Sequence, residues 1–494
     1  MIIDNGSKSP VDDSTPLLGD ASAPNAPPAY TPPPRGDPTP MGNTQIPYAV
    51  YEPVYTQLEQ GQQSQQLTEE PAGRRFCKAF LVALGIWALF TFFANLTFAY
   101  LAVQSVGYPI PSGLKLPVCA TTWHEKSNPE PFSAFPYAAT ASFDLNLPSR
   151  TLLLLSKGGL SNGHLKITSS PDVRTVRVNV TINYWIPAVR DAAKVCFIEG
   201  SEGEGGVGIF TPQPWRVRTY ADRLFFDVEL IFPRSDSILR VNGLSTDVNN
   251  FSHEVDALDS YFNDLSLTGS NGKIQAKSLT AAQATLTTSN AAVAVDNLVA
   301  PKASIQSSNG PITGTYAIAD SLTLKTSNGA IDVAASITGN SSLEKPQDIT
   351  MQTSNGPLNY IVDLGRTAGE AGSFSVKADT SNGKITGKIV SAPLNSILGT
   401  HARTSNHLVS LALPSTYEGS LSISSNSAPT VSRDTQQKHP ACGSDANCNG
   451  PKRIFYLTKV TKSIFEGAIC WDSQNADLGS VFLSSSNGVA ALYL

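Results

Sequence analysis

At 494 residues the chain has length for roughly two to four domains, but its composition divides it more sharply than length does. A formal net charge of −5 excludes the basic footprint expected of a nucleic-acid partner. Six cysteines are too few for a disulfide-built scaffold.

Residues 1–73 hold 13 of the 34 prolines and little aliphatic content, so they have no core to bury and read as a disordered tail. Three short motifs stand in it. Pro27, Pro28 and Tyr30 form a Pro-Pro-x-Tyr ligand for WW domains, in which a preformed polyproline II stretch docks on aromatic grooves at low entropic cost. The reader it implies resembles the WW-bearing HECT ubiquitin ligases that act on membrane proteins. Asp13 with Leu17 and Leu18 resembles an acidic dileucine sorting signal, and Tyr55 with Leu58 a tyrosine-based endocytic signal. Against all three stands unselected proline-rich linker, where such patterns arise by chance.

Residues 79–103 carry no charge over 25 positions. As a helix they would extend about 37 Å, enough to span a bilayer with some tilt. Arg74, Arg75 and Lys78 crowd the N-terminal side, whereas the first base beyond is Lys115. The positive-inside rule then places the tail in the cytosol and everything after Val103 outside the cell or in a lumen, of the plasma membrane or of a vacuole or endosome. The expectation is a type II single-pass protein, with Cys77 at the cytosolic edge as a palmitoylation candidate. The sequons at Asn179, Asn250 and Asn340 lie on the far side and are read as glycosylation sites at turns or strand edges.

From 118 to 250 the apolar alternation marks longer, less regular strands, read as an irregular β region that opens or caps a repeat array. Asn162-Gly163, followed by Leu165 and Ile167, is a degenerate early repeat. From 251 to 494 one phrase keeps returning. Its asparagines are Asn271, Asn290, Asn309, Asn328, Asn355, Asn382 and Asn406, with Asn487 near the end. The first three spacings are 19 residues each, and the next are 27, 27 and 24. Four residues before the Asn stand Leu267, Leu286, Ile305, Leu324 and Met351; three after it stand Ile274, Val293, Ile312, Ile331 and Leu358. Each unit is therefore strand, Ser-Asn-Gly turn, strand, with one face inward. Asn and Gly are expected there because a tight turn needs residues that tolerate positive φ.

Two architectures fit the pattern, a set of antiparallel hairpins in a sandwich or meander, and a β-solenoid. The registered inward columns favour the solenoid, whose stacked coils would set the Asn amides in a hydrogen-bonded ladder. The recurrent Thr/Ser-Ser-Asn-Gly followed by an apolar residue resembles an adhesin-like family of domains of unknown function, found in bacteria and in fungal membrane proteins. The resemblance spans roughly residues 144–494 and implies a β-solenoid without catalytic residues. A Cys-bearing polar insertion interrupts the repeats at 434–452, where Cys442 and Cys448 enclose a short loop and are read as disulfide partners. The pairing of Cys119, Cys196 and Cys470 stays open.

No carboxylate column of the kind glycoside hydrolysis needs exists in the regular repeats. Asp332, for example, aligns with Gln275, Ala294, Thr313 and Asn359. Glu254, Asp256, Asp259 and Asp264 read as a solvated acidic cap, and the six histidines show no metal-ligand spacing. No enzyme, cofactor or metal is expected. Two functions compete: a display module whose outward Ser, Thr and Asn columns bind a protein or polysaccharide, and a trafficking adaptor that recruits a ubiquitin ligase through its tail.

Overall fold

The computed structural model describes residues 77–93 apart from 79 and 92, then 107–127, 134–201, 203–337, 345–365, 371–434, 437–442 and 450–494. The chain divides near residue 100 into two units. In the first, residues 77, 78, 80–91 and 93 are helical, and Phe80, Leu81, Val82, Leu84, Ile86, Trp87, Leu89, Phe90 and Phe93 are all exposed. Among the described residues no helix is long and apolar enough to cross a membrane, and residues 94–103 of the expected span lie outside them.

The second unit is mainly β. Its repeats are coils, each made of a leading strand, the Ser-Asn turn and a trailing strand, stacked in parallel on the next. Leading strands form one continuous ladder, from Leu239–Val248 and Ser260–Thr268 through Gln347–Gln352 and Ser373–Asp379 to Ile397–Thr404. Trailing strands form a second, from Phe251–Ala257 through Ile331–Ile337, Leu358–Asp363 and Ile385–Ser391 to Val409–Ala412. The pairing is parallel throughout, which excludes the hairpin alternative. The longer repeats keep register because their extra residues fall after the trailing strand, between Ile337 and Gln347 and between Asp363 and Ser373.

Period-2 alternation aims the apolar columns between the two ladders. Leu267, Leu286, Ile305, Leu324 and Met351 are fully buried, as are Ile274, Val293, Ile312, Ile331 and Leu358. Volume is traded between neighbouring coils: the ring of Tyr360 occupies the place that a Cβ on Gly387 would meet at 2.2 Å. His253 holds an inward position in register with Ile274 and Leu165. Its Nε2 lies 3.0 Å from the Thr246 hydroxyl, and burial lowers its pKa to about 4.

Both ends of the stack depart from chain order. At the first end, the coil of Leu152–Lys157 and Gly163–Ser170 stacks below residues 239–257. The strands Gly205–Phe210 and Leu224–Pro233 lie below that in turn. Antiparallel strands then close each ladder: Lys194–Glu199 and Lys115–Cys119 on one side, Val176–Tyr184 and Tyr137–Leu145 on the other. At the second end, the chain finishes on strands that insert into the stack rather than extend it. Gly479–Ser485 slots between Ile397–Thr404 and Gly419–Ser425, and Ala490–Tyr493 between Val409–Ala412 and Thr430–Ser432. The hairpin Ile454–Val460 and Ile464–Cys470 caps the leading ladder antiparallel. Such atypical ends cover edges that a regular repeat would leave open.

The Asn ladder forms along the turns. Nδ2 of each Asn donates to Oδ1 of its neighbour, from Asn271 to Asn250 at 2.6 Å, through Asn328 to Asn309 at 2.7 Å, to Asn487 on Asn406 at 2.8 Å. Among the described residues an interior rung such as Asn328 makes two such bonds and Asn487 makes one. Asn328→Ala should therefore destabilise the fold by about 1–2 kcal/mol and Asn487→Ala by about half as much, read by chemical denaturation. Equal losses would deny the ladder an energetic role. For His253 the sign runs toward acid lability. Its folded pKa lies below the unfolded value, so the unfolded chain gains the proton first. Stability should fall as pH drops from about 6.5 toward 4, with a slope of at most about 1.4 kcal/mol per pH unit. His253→Val should flatten that slope in pH-dependent melts.

Candidate functional site: a polar groove along the turns

Three residues precede each turn Asn, and they have three different fates. Two before it, a Thr or Ser is buried: Thr288, Ser307, Thr326, Thr353, Thr380 and Thr404. Its hydroxyl joins two coils. Thr353 Oγ1 accepts from its own turn's Gly356 N–H at 3.1 Å and donates to the Gly329 carbonyl of the preceding coil at 3.1 Å. Thr326 and Thr380 repeat the arrangement with Gly329 and Gly383 N–H at 3.1 Å each. One before the Asn, the backbone N–H groups of Ser and Asn both donate to the Ser carbonyl below, as Ser327 and Asn328 do to Ser308 at 2.9 Å.

The expected role of the turn glycines is corrected here. Among the described residues the positive-φ glycines are Gly113, Gly158, Gly203, Gly314 and Gly419, and none is a turn glycine. What the turn needs is room. A Cβ on Gly356 would sit 1.8 Å from the Gly329 carbonyl oxygen, and one on Gly383 1.7 Å from that of Gly356. Close backbone approach between coils, not backbone handedness, selects glycine.

The Ser residues directly before the Asn are left over. Ser289, Ser308, Ser327, Ser354, Ser381 and Ser405 make no side-chain hydrogen bond among the described residues, and five of them are exposed, with Ser405 half-buried. They recur once per coil, at about 5 Å. Beside them run Thr287, Gln306, Lys325, Gln352, Asp379 and Arg403, three before each Asn, pointing outward from the leading ladder. The two rows wall a groove of about 780 Å³ that crosses the coils parallel to the stack axis. Lys325 and Arg403 stand against Asp379, so the groove is close to neutral. Among the described residues Asp379 is the one carboxylate in its lining, and it lies 3.4 Å from His401, whose ring stacks on Phe482 at 4.8 Å.

The other sequence-derived candidates are scattered. Pro27, Pro28, Tyr30, Asp13, Leu17, Leu18, Tyr55, Leu58, Asn340 and Cys448 lie outside the described residues. Cys77 is an exposed free thiol, and Cys442 is disulfide-bonded. Asn179 stands in mid-strand within Val176–Tyr184, flanked by paired strands on both sides rather than at a turn, and its Oδ1 accepts from Ser142 Oγ at 2.8 Å. Asn250 is the first rung of the ladder, its Nδ2 donating to the Ser161 carbonyl at 2.9 Å. The acidic cap is ion-paired rather than merely solvated. Asp256 meets Lys277 at 2.7 Å, Glu254 meets His164 at 3.4 Å and Asp259 meets Arg234 at 3.4 Å. Among the described residues no group of three His, Cys, Asp or Glu side chains is placed to hold a metal.

Two features had no usable signal in the sequence. Cys119 and Cys196 face each other on antiparallel strands and form a disulfide across 77 residues. The buried Glu418 carboxylate accepts from Trp471 N–H at 2.7 Å, Asp472 N–H at 3.0 Å and Asn475 Nδ2 at 2.9 Å, clamping the second end of the stack. Arg453 lies over the Trp471 ring at 5.6 Å, its pKa lowered to about 10 by burial.

Comparison with known proteins returns residues 302–456 as a match to a family described as a domain of unknown function (DUF7330). No curated protein matches the chain. Among solved structures, a putative adhesin from Bacteroides fragilis is 11% identical with a TM-score of 0.25, covering 56% of this chain and 96% of its own. A putative cell adhesion protein from Clostridium sporogenes is 10% identical with a TM-score of 0.15, covering 72% and 99%. A protein of the first description from Parabacteroides distasonis is 10% identical with a TM-score of 0.19, covering 72% and 96%.

The division of labour between the two hydroxyl rows is testable. Thr353→Val keeps the shape but leaves the Gly356 N–H and Gly329 carbonyl unpaired, and should cost about 1–3 kcal/mol by denaturant titration. Ser354→Ala, one residue on, should fall within about 0.5 kcal/mol of the parent. A reversed order would mean that the groove serine, not the buried threonine, holds the coils.

Proposed function

We propose that this chain is a non-catalytic, type II membrane-anchored display protein, adhesin-like in kind. Its β-solenoid stands outside the cell or in a lumen and binds an extended, neutral, hydroxyl-rich polymer along the groove. The observation that carries this reading is the row of unengaged serine hydroxyls repeating at one-coil spacing. A polysaccharide laid along the axis would offer hydroxyls of its own at a recurring rise. A peptide is the poorer fit, because extended peptides gain affinity from unpaired strand edges, and the strands below this groove are paired on both sides. Nucleic acid needs a denser run of cations than Lys325 and Arg403 provide. A lone carboxylate gives no acid–base pair for glycoside cleavage.

The anchor is supported by the uncharged stretch 79–103 and by the helical residues within it, whose apolar side chains stay exposed all round. The Cys119–Cys196 disulfide suits an oxidising compartment on the far side. A second reading, the trafficking adaptor, has Pro27, Pro28 and Tyr30 in its favour.

Full-length protein in detergent should be retained on an insoluble polysaccharide such as chitin or β-glucan. Ser327→Ala, Ser354→Ala and Ser381→Ala combined should weaken retention at least tenfold with little change in melting. Parental retention in that variant, or none on any polymer, would remove the groove reading. For the adaptor, Tyr30→Ala should abolish binding of the full chain to a WW-domain probe, and unchanged binding would remove that idea.

A further inference from the structure

The residues three before each turn Asn do not share one chemistry along the groove; they alternate. In register, the rungs are Thr287, Gln306, Lys325, Gln352, Asp379 and Arg403. Every second rung, from Gln306 through Gln352 to Arg403, therefore carries an exposed side chain with a planar amide or guanidinium head. Between them stand Lys325 and Asp379, of opposite charge. Coils are about 5 Å apart, so the three planar heads recur at about 10 Å along one wall.

The three heads are available. Gln352 and Arg403 make no side-chain hydrogen bond or ion pair among the described residues. Gln306 Nε2 donates to Ser304 Oγ at 3.3 Å, which leaves a second N–H and the Oε1. All three side chains are exposed, and the Gln306 bond stays within its own coil. The alternation thus does nothing to hold the stack together.

A recurrence at every second coil carries information about the ligand. In a β-1,4-linked chain of pyranose sugars both linkage bonds are equatorial, so the polymer runs straight. Each sugar advances about 5 Å, close to one coil. Each is also turned over relative to the last, so a substituent on carbon 2 faces the same wall only at every second sugar. An acetamido group there has one carbonyl and one N–H. The carbonyl accepts from a glutamine Nε2 or from the Arg403 guanidinium, and the N–H donates to a glutamine Oε1. Resting on the polymer reading of the groove, we propose that the site is selective for an extended β-1,4-linked polymer of N-acetylated sugars. The chain lies one sugar to a coil, with alternate acetamido groups on Gln306, Gln352 and Arg403. A β-1,3 linkage curls the chain and loses the step. An unsubstituted β-1,4 glucan keeps the step but sets a hydroxyl where the three heads fit an amide. Those contacts should favour the N-acetylated chain over the glucan at least tenfold.

The test is titration of the full chain, in a detergent without a sugar head group, with six-sugar β-1,4 oligomers of N-acetylglucosamine and of glucose. The N-acetylated hexamer should bind at least tenfold more tightly, and Gln306→Ala with Gln352→Ala should bring that ratio below about threefold. Lys325→Ala, on the intervening rung, should keep the ratio at about tenfold or more. Unchanged melting of each variant reports the stack intact. Equal binding of the two hexamers by the parent chain, or the same loss of preference in the Lys325 variant, would overturn the acetamido assignment and leave the polymer reading standing. Binding of neither hexamer would overturn the assignment too, and retention on no polysaccharide at all would remove the polymer reading with it.

Discussion

Backbone hydrogen bonds between one turn and the turn below it set the distance between coils. At Asn328 the two amides of Ser327 and Asn328 share the Ser308 carbonyl, and the same pattern recurs up the stack. That spacing leaves no volume for a Cβ one residue later, which is why glycine stands there, and it brings the Asn amides within 2.5 to 2.8 Å of each other. It also puts the buried Thr hydroxyl between an N–H of its own turn and a carbonyl of the preceding one. Thr, Asn and Gly thus answer to one geometric demand at most turns, although Ala291 and His407 stand in the glycine position with the same turn-to-turn bonds kept.

The same demand produces the surface on which function is proposed. Of the polar side chains at the turn, the Asn row is saturated by its own ladder and the Thr row by the backbone. Among the described residues, the Ser row from Ser289 to Ser405 makes no side-chain hydrogen bond. A coil stack therefore presents free hydroxyls as a straight, evenly spaced line, where a less regular fold would scatter them. Order along the axis limits what ligand can exploit all of them at once, and favours a polymer with a repeating chemistry over a compact molecule.

Much of the interior is legible in the sequence, because period-2 alternation and a recurring turn leave a strong, local signal. The inward columns from Leu267 to Met351 and the Asn ladder are where the pattern puts them. Local signals do not carry non-local facts. Nothing near Ala490 says that its strand inserts between residues 409–412 and 430–432, because that order is decided by which edge remains open after the chain has doubled back. Glu418 finds its donors more than 50 residues away, and Cys119 its partner 77 residues on. The turn glycine is easily ascribed to the wrong cause: positive φ is the usual ground for glycine in a turn, and close approach to a neighbouring coil shows only once that coil is in place. The groove is legible in part. Outward Ser, Thr and Asn columns are plain in the repeats, but which of them is spent on structure depends on contacts between coils.

The central claim is that successive repeats stack in register and line up their outward columns. Thr285, Ser304, Thr323, Thr350 and Lys377 are consecutive rungs of one ladder. Spin labels at Thr285 and Lys377 should then lie four coil spacings apart, about 19 Å between backbones. A pulsed dipolar measurement should give one narrow distance distribution centred near that value. A broad distribution, or one centred beyond about 30 Å, would contradict the stack and with it the groove.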